Sequence, residues 1–293
     1  MQKTTLSEDL MGKFSNIMIA SDFDRTLTNP QDEIPQSNLD AIRYFMDEGG
    51  TFTVASGRSI PLFRQRAALV PVNAPCILSN GAILYDYATE TLAHFEPLDE
   101  EFAPKIIAAA RAYDNSLSVE VQCLDAHYIY GTDTTRDRFL AASGVKPIHV
   151  EEDPPFPWMK IVVCAAQDRV IESYDEVPPE KLEKFRLLME YLDRFCREKC
   201  YVTRSMPRVI EIGANTCNKG TAARALANSL GGKTLVCIGD AMNDLAMLRE
   251  ADIAYVPTDC DPSLRPLPFC KPTVPCTEGT VAAAIKALEE TLK

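Results

Sequence analysis

No stretch of the 293-residue sequence approaches the ~20 consecutive apolar residues that a membrane span needs. The opening segment, MQKTTLSEDLMGKFSN, carries no apolar run of the kind a secretion signal uses. The expectation is a cytoplasmic protein with no membrane partner. Basic charge is also scarce: 30 Lys and Arg against 42 Asp and Glu leave a net charge of −12 and a pI near 4.8. That excludes nonspecific nucleic-acid binding, which needs a basic face. It leaves room for a small anionic substrate held in a local cationic pocket, or for a divalent cation. No Cys-x-x-Cys pair occurs among the ten cysteines. Cys76, Cys164 and Cys237 lie in apolar runs as small core residues. Cys196 and Cys200 have no histidine or second cysteine pair nearby, so helix packing is expected of them rather than metal binding. Histidine is limited to His94, His127 and His149, and tryptophan to Trp158. Packing or surface roles are expected for the three histidines, and core roles for at least two of Trp158, Tyr128 and Tyr130, which could otherwise line a sugar or ring pocket. No repeat or low-complexity tract is present. The 46% hydrophobic and 25% charged content is ordinary for a globular chain, and the length suits two domains.

Strand and helix patterns alternate at both ends of the chain. NIMIAS (16–21), TFTVAS (51–56) and PCILSN (75–80) read as buried strands, separated by helices over 37–48 and 59–70. The tail reads as a helix over 218–230, strand TLVCIG (234–239), a short helix over 241–250, strand IAYV (253–256) and a last helix over 279–292. Such alternation predicts a doubly wound parallel α/β sheet covered on both faces. The middle differs. A helix at 101–113, a hairpin of LSVEVQC and AHYIYG, a helix near 134–142, strand KIVVCAA (160–166), a long helix over 179–199 and two closing strands predict an inserted α+β domain. The Pro-rich segments 153–157 and 257–275 read as turns.

Ligands of a parallel sheet bind beyond the carboxyl ends of its strands. Asp22 and Asp24 follow the first strand, Ser56-Gly57-Arg58 the second and Asn80-Gly81 the third. Gly239-Asp240 follow a tail strand, with Asn243 and Asp244 one turn later, and Lys219 opens a helix. Asp22, Asp240 and Asp244 would then cluster acidic oxygens, a costly arrangement unless a hard cation, Mg²⁺ above all, neutralises them. A carboxylate can attack phosphorus to give an aspartyl-phosphate. A second carboxylate two residues on can protonate the leaving alkoxide and then activate water. A lysine, the Ser56 hydroxyl and N–H groups near Gly57 can hold phosphoryl oxygens.

DFDRTLT, ASGR, NKG and GDAMNDLAML resemble, in order, the four motifs of the haloacid dehalogenase-like superfamily. Their spacing is similar to the Cof-like branch, whose members carry a large type IIB cap between the second and third motifs. The resemblance covers nearly the whole chain. It implies a Rossmann-like catalytic core of residues 1–83 and 214–293, with a specificity-setting cap of 84–213. It implies Asp22 as nucleophile, Asp24 as general acid/base, and Ser56, Gly57 and Lys219 as phosphate-binding residues. Mg²⁺ is expected on Asp22, the main-chain carbonyl of Asp24, and Asp240, supported by Asn243 and Asp244. The expected activity is hydrolysis of a small phosphomonoester, such as a sugar phosphate, by a monomer or homodimer. The alternatives are a phosphomutase or phosphotransferase, and a non-catalytic phospho-ligand sensor. Arg25 departs from the pattern, standing where the branch commonly has glycine.

Overall fold

The computed structural model describes residues 12–131, 134–165 and 177–292. Residues 1–11, and Ala166 at the end of one expected strand, lie outside the described residues. The chain begins with β1 (Ile17–Ser21), α1 (Gln36–Asp47), β2 (Thr51–Val54), α2 (Ile60–Ala67) and β3 (Cys76–Leu78). β1 and β2 are buried at every position, as strands covered by helices on both faces must be. α1 buries Ile42 and Phe45 on one face, and Gly49, at φ +85, closes it. Ser59 caps α2, its Oγ accepting from the Leu62 N–H, with Pro61 in the first turn.

An antiparallel hairpin of β4 (Ile83–Asp86) and β5 (Thr91–Phe95) follows on β3. Ile83 and Tyr85 pack into the same cluster as Ile19, Phe52 and Val54. β5 is exposed at all five positions, so it carries no apolar alternation by which a sequence would reveal it.

The inserted segment continues through α3 (Ala103–Tyr113), β6 (Leu117–Gln122), β7 (His127–Tyr130), α4 (Thr134–Ala142), β8 (Ile148–Val150), β9 (Lys160–Ala165), α5 (Pro179–Cys196), β10 (Cys200–Met206) and β11 (Val209–Ala214). Its six strands run in the order β10-β11-β9-β6-β7-β8. The two faces of this sheet differ in kind. Leu117, Val119, Val121, Ile161, Val163, Ile210 and Ile212 form a core with Ile106, Phe185, Leu188 and Leu192 of α3 and α5. Alternate positions carry Glu120, Gln122, Lys160 and Glu211, which are buried as well. Charges are buried there because this face meets the first domain rather than water. Trp158 and Tyr130 are buried in the same cluster, as expected, with Trp158 stacked on Phe156 at a centroid distance of 4.2 Å.

The chain then returns to the first domain as α6 (Lys219–Ser229), β12 (Thr234–Ile238), α7 (Leu245–Glu250), β13 (Ile253–Val256), β14 (Cys270–Pro272) and α8 (Thr280–Thr291). The sheet order is β14-β13-β12-β1-β2, parallel throughout, and Ala55 and Ile77 add a parallel bridge toward β3. β14 falls inside the segment read as turns. It is a three-residue edge strand ending in Pro272, whose missing N–H is harmless at an edge. β1 lies between β2 and β12, where the winding reverses, and the crevice at such a reversal is where doubly wound sheets bind ligands. The architecture is the expected one: a doubly wound α/β core with an inserted α+β domain. Among the described residues no helix is long and apolar enough to cross a membrane. All ten cysteines are unpaired and buried.

Candidate active site

The loop after β1 places Asp22 over the end of β12, its N–H donating to the Ile238 carbonyl at 2.8 Å. Lys219 reaches it from the first residue of α6. Asn218 caps that helix, accepting from the Gly220 and Thr221 N–H groups, while Thr221 Oγ1 accepts from the Asn218 N–H. Gly81, at φ +102, lets the neighbouring loop pass close to this cap; a Cβ there would lie 2.3 Å from the Asn218 carbonyl oxygen. Lys219 Nζ donates to Asp22 Oδ1 at 2.5 Å and to Asp244 Oδ1 at 2.7 Å. Asp244 Oδ2 accepts from the Asp240 and Ala241 N–H groups, both at 3.0 Å. Position 239 must be glycine for Asp244 to fit there, since a Cβ would stand 2.6 Å from Asp244 Cβ.

Asp22, Asp240 and Asp244 are all buried, with one carboxylate oxygen of each within 4.8 Å of the others. Burial and the Asp244 charge push the Asp22 carboxyl well above its usual range, with Lys219 opposing. Burial and Asp244 push Asp240 up to about 7. Burial alone would lower Lys219, but Asp22 and Asp244 raise it above the ordinary lysine value. Among the described residues Asp240 has no ion pair, and its Oδ1 accepts only from Thr26 Oγ1, at 2.8 Å. The cluster is therefore short of positive charge, and oxygen donors in that state suit a hard divalent cation. Asp22 and Asp240 have an oxygen to offer. Asp244 has both oxygens engaged by Lys219 and main-chain N–H groups, which suits a supporting position.

Asp24 points elsewhere. Arg58 grips it with a two-pronged ion pair, Nε to Oδ2 at 3.0 Å and Nη2 to Oδ1 at 2.6 Å. The sequence motifs assign Arg58 no role; its signal in the sequence is its place beside Ser56 and Gly57. Ser56 is buried, and its Oγ accepts from the Arg58 N–H at 3.1 Å, which leaves the hydroxyl proton to donate. Gly57 faces the cavity, and its carbonyl accepts from Lys160 Nζ at 2.6 Å. Lys160 also pairs with Glu211 at 2.7 Å, and Asn80 Nδ2 donates to the other Glu211 oxygen. Burial would raise Glu211, yet Lys160 and Asn80 hold it below the usual carboxylate range. Asn243 lies near Asn80, its Nδ2 3.4 Å from Asn80 Oδ1.

Arg25 adopts φ +61, the left-handed conformation that glycine takes freely. The departure at this position thus carries backbone strain. Arg25→Gly is expected to keep the fold and to raise stability by roughly 1 kcal/mol, read as a higher Tm. A fall in Tm of several degrees would mean that the Arg25 side chain anchors the loop.

A cavity of about 290 Å³ lies over these residues. Asp22, Asp24, Arg58 and Asp240 form one wall, and Gln122, Arg136, Lys160 and Glu211 of the inserted domain form the other. His127, unplaced by the sequence beyond a packing or surface role, joins the two domains behind that wall. Its Nε2 is 2.7 Å from Ser59 Oγ and its Nδ1 2.6 Å from Glu120 Oε1. His94 and His149 are exposed. Arg204 and Arg208 do not line the cavity, and Arg204 pairs with Asp261.

A family model for haloacid dehalogenase-like hydrolases matches residues 19–264. HMP-PP phosphatase of Citrobacter koseri is 25% identical over 254 residues, covering 84% of this chain and 86% of its own. The crystal structure of a haloacid dehalogenase-like hydrolase from Bacteroides thetaiotaomicron matches with a TM-score of 0.73 at 19% identity, over 92% of this chain and 98% of that one. A subclass IIB sugar phosphatase of the same superfamily matches with a TM-score of 0.72 at 17% identity, over 93% and 98% of the two chains. Fold, motif order and family match agree over most of the length, and the chain belongs to the haloacid dehalogenase-like hydrolases as an enzyme of that family.

Proposed function

We propose that the chain is a Mg²⁺-dependent phosphatase of small phosphomonoesters that works through an aspartyl-phosphate on Asp22. The observation that carries this reading is the buried Lys219 ammonium, held between Asp22 and Asp244. It fixes Asp22 Oδ1, while Oδ2 takes no hydrogen bond among the described residues and Asp22 lines the cavity. The phosphatase names of the Citrobacter relative and of the sugar phosphatase favour phosphoryl chemistry over the other reactions of the family.

In the first step the Asp22 carboxylate attacks phosphorus. The bond from phosphorus to the leaving oxygen breaks, and that oxygen takes a proton from Asp24. In the second, water attacks phosphorus and gives its proton to the Asp24 carboxylate. Asp22 departs as a carboxylate, and inorganic phosphate leaves. The Arg58 fork occupies both Asp24 oxygens, so Asp24 leaves that fork to reach the leaving oxygen. The Ser56 hydroxyl, main-chain N–H groups near Gly57, and Lys219 hold the phosphoryl oxygens. Asp22, Asp240 and the Asp24 carbonyl would hold Mg²⁺, with Asn243 and Asp244 behind them. Bound there, the ion would supply positive charge that screens Asp22 from the phosphoryl oxygens. Residues 84–213 act as a cap whose wall keeps bulk water out and limits the leaving group to a small metabolite. Ten unpaired cysteines suit the reducing cytoplasm.

The test is phosphate release from a panel of small phosphomonoesters, with Mg²⁺ and with EDTA. Release with Mg²⁺ that EDTA abolishes is expected. Release indifferent to EDTA would overturn the metal's part, and no release from any compound would overturn the phosphatase reading.

A further inference from the structure

Among the described residues, one buried side-chain polar atom of the cap wall has no hydrogen-bond partner. Gln122 closes β6 and is 1% exposed. Its Nε2 donates to Glu120 Oε1 at 2.8 Å. Glu120 also accepts from His127 Nδ1 and from Arg136 Nε. Burial alone would raise the Glu120 carboxyl, but Arg136 and His127 hold it well below the usual range. Glu120 is therefore a carboxylate, which can only accept, and the Gln122 amide can turn only its N–H₂ toward it. Gln122 Oε1 is thereby fixed as the atom left over. It is buried, has no partner among the described residues, and belongs to a side chain that lines the cavity. A buried amide oxygen without a donor is costly, so the site is built for a ligand that brings one. Arg58, also lining the cavity, leaves Nη1 without a partner in the same way.

An acceptor and a donor on one cavity are the complement of hydroxyl groups, which donate and accept at once. The charges of the cap wall point the same way. Lys160 is paired with Glu211 and Arg136 with Glu120, so each cation of that wall already faces a buried carboxylate. A second anionic group on the substrate would meet no surplus of positive charge there.

We propose that Gln122 is the specificity-determining residue of the cap, and that it selects phosphomonoesters whose leaving group is neutral and hydroxylated. This rests on the phosphatase reading, and it narrows the substrate to polyol-like or sugar-like phosphates without a second charge.

The test compares kcat/KM for matched compounds: ribitol 5-phosphate against pentyl phosphate, and glycerol 3-phosphate against propyl phosphate and 3-phosphoglycerate. The native enzyme is expected to favour each hydroxylated compound over its alkyl partner by about tenfold or more, and glycerol 3-phosphate over 3-phosphoglycerate. Gln122→Met, of nearly the same length but with no amide, should bring the hydroxyl-to-alkyl ratios close to one. Should that variant fail to fold, Gln122→Asn, which withdraws the amide by one methylene, is expected to lower the same ratios. Parallel loss on both members of a pair would overturn the proposal in favour of a packing role. So would unchanged ratios, or a native preference for 3-phosphoglycerate. If the native chain releases phosphate from none of these compounds, the phosphatase reading falls, and calorimetric binding of the same compounds in Mg²⁺ decides the subsite. Tighter binding of ribitol 5-phosphate than of pentyl phosphate, lost in Gln122→Met, would uphold it; equal affinities would overturn it.

Discussion

Asp22→Asn is expected to lower phosphate release by at least about 10⁴-fold, the scale of losing a nucleophile that works in concert with its neighbours. The amide keeps the shape of the carboxylate but does not displace an alkoxide from phosphorus. The variant should remain folded. In the native protein burial and Asp244 raise the Asp22 carboxyl above its usual range, so the charged form at this position is a net cost to the fold. Replacing it with a neutral isostere removes that cost. Without metal, Tm near neutral pH should equal or exceed the native value. Substantial residual turnover would refute the aspartyl-phosphate, and a large fall in Tm would show that the pairing with Lys219 outweighs the repulsion.

Lys219→Met has the largest expected effect on stability. It leaves Asp22, Asp240 and Asp244 buried with no ammonium among them, and removing one partner of a buried ion pair costs about 3–5 kcal/mol. The loss should depend on pH. Asp240 holds its proton up to about 7 in the fold, and Asp22 is raised as well. A carboxyl whose folded pKa lies above its unfolded value binds protons more tightly when folded. Its contribution to stability therefore falls as pH rises from the ordinary carboxylate range through about 7. Lys219 is raised too, so the native chain keeps its contribution throughout that window. Urea unfolding should show a larger difference between variant and native at pH 8 than at pH 5. Mg²⁺ should recover part of it by binding the folded state alone. An equal loss at both pH values would mean that Asp22 and Asp240 do not titrate within that window.

The sequence disclosed the elements whose burial shows as a continuous apolar run or as a helical stripe. β1, β2, β12 and β13 are short runs of apolar residues, and α5 carries its stripe over five turns. It did not disclose β5, exposed at every position, or β8, three residues with two of them exposed, or β14 at its edge. Those strands exist through main-chain pairing with neighbours, which leaves little trace in side chains. The loops around Asp22, Ser56, Lys219 and Asp240 were legible because each follows a strand or opens a helix. The grip of Arg58 on Asp24 was not, for it joins loops 34 residues apart by side-chain direction alone. Nor was the polar network of Glu120, Gln122 and His127. The alternation in LSVEVQ announces one polar face, and only the packing of two domains shows that this face looks onto a cavity.

Two contacts fasten the inserted domain to the loop after β2. Lys160 Nζ binds the Gly57 carbonyl, and His127 meets Ser59. Both anchor points fall within the stretch 56–59, which also carries Ser56 and Arg58. The domains cannot part without unloading the segment to which the proposed function assigns the phosphate. On that reading, escape of product and slackening of the grip would be a single event, timed by the rate at which these buried polar contacts, and that of Asn80 with Glu211, come undone.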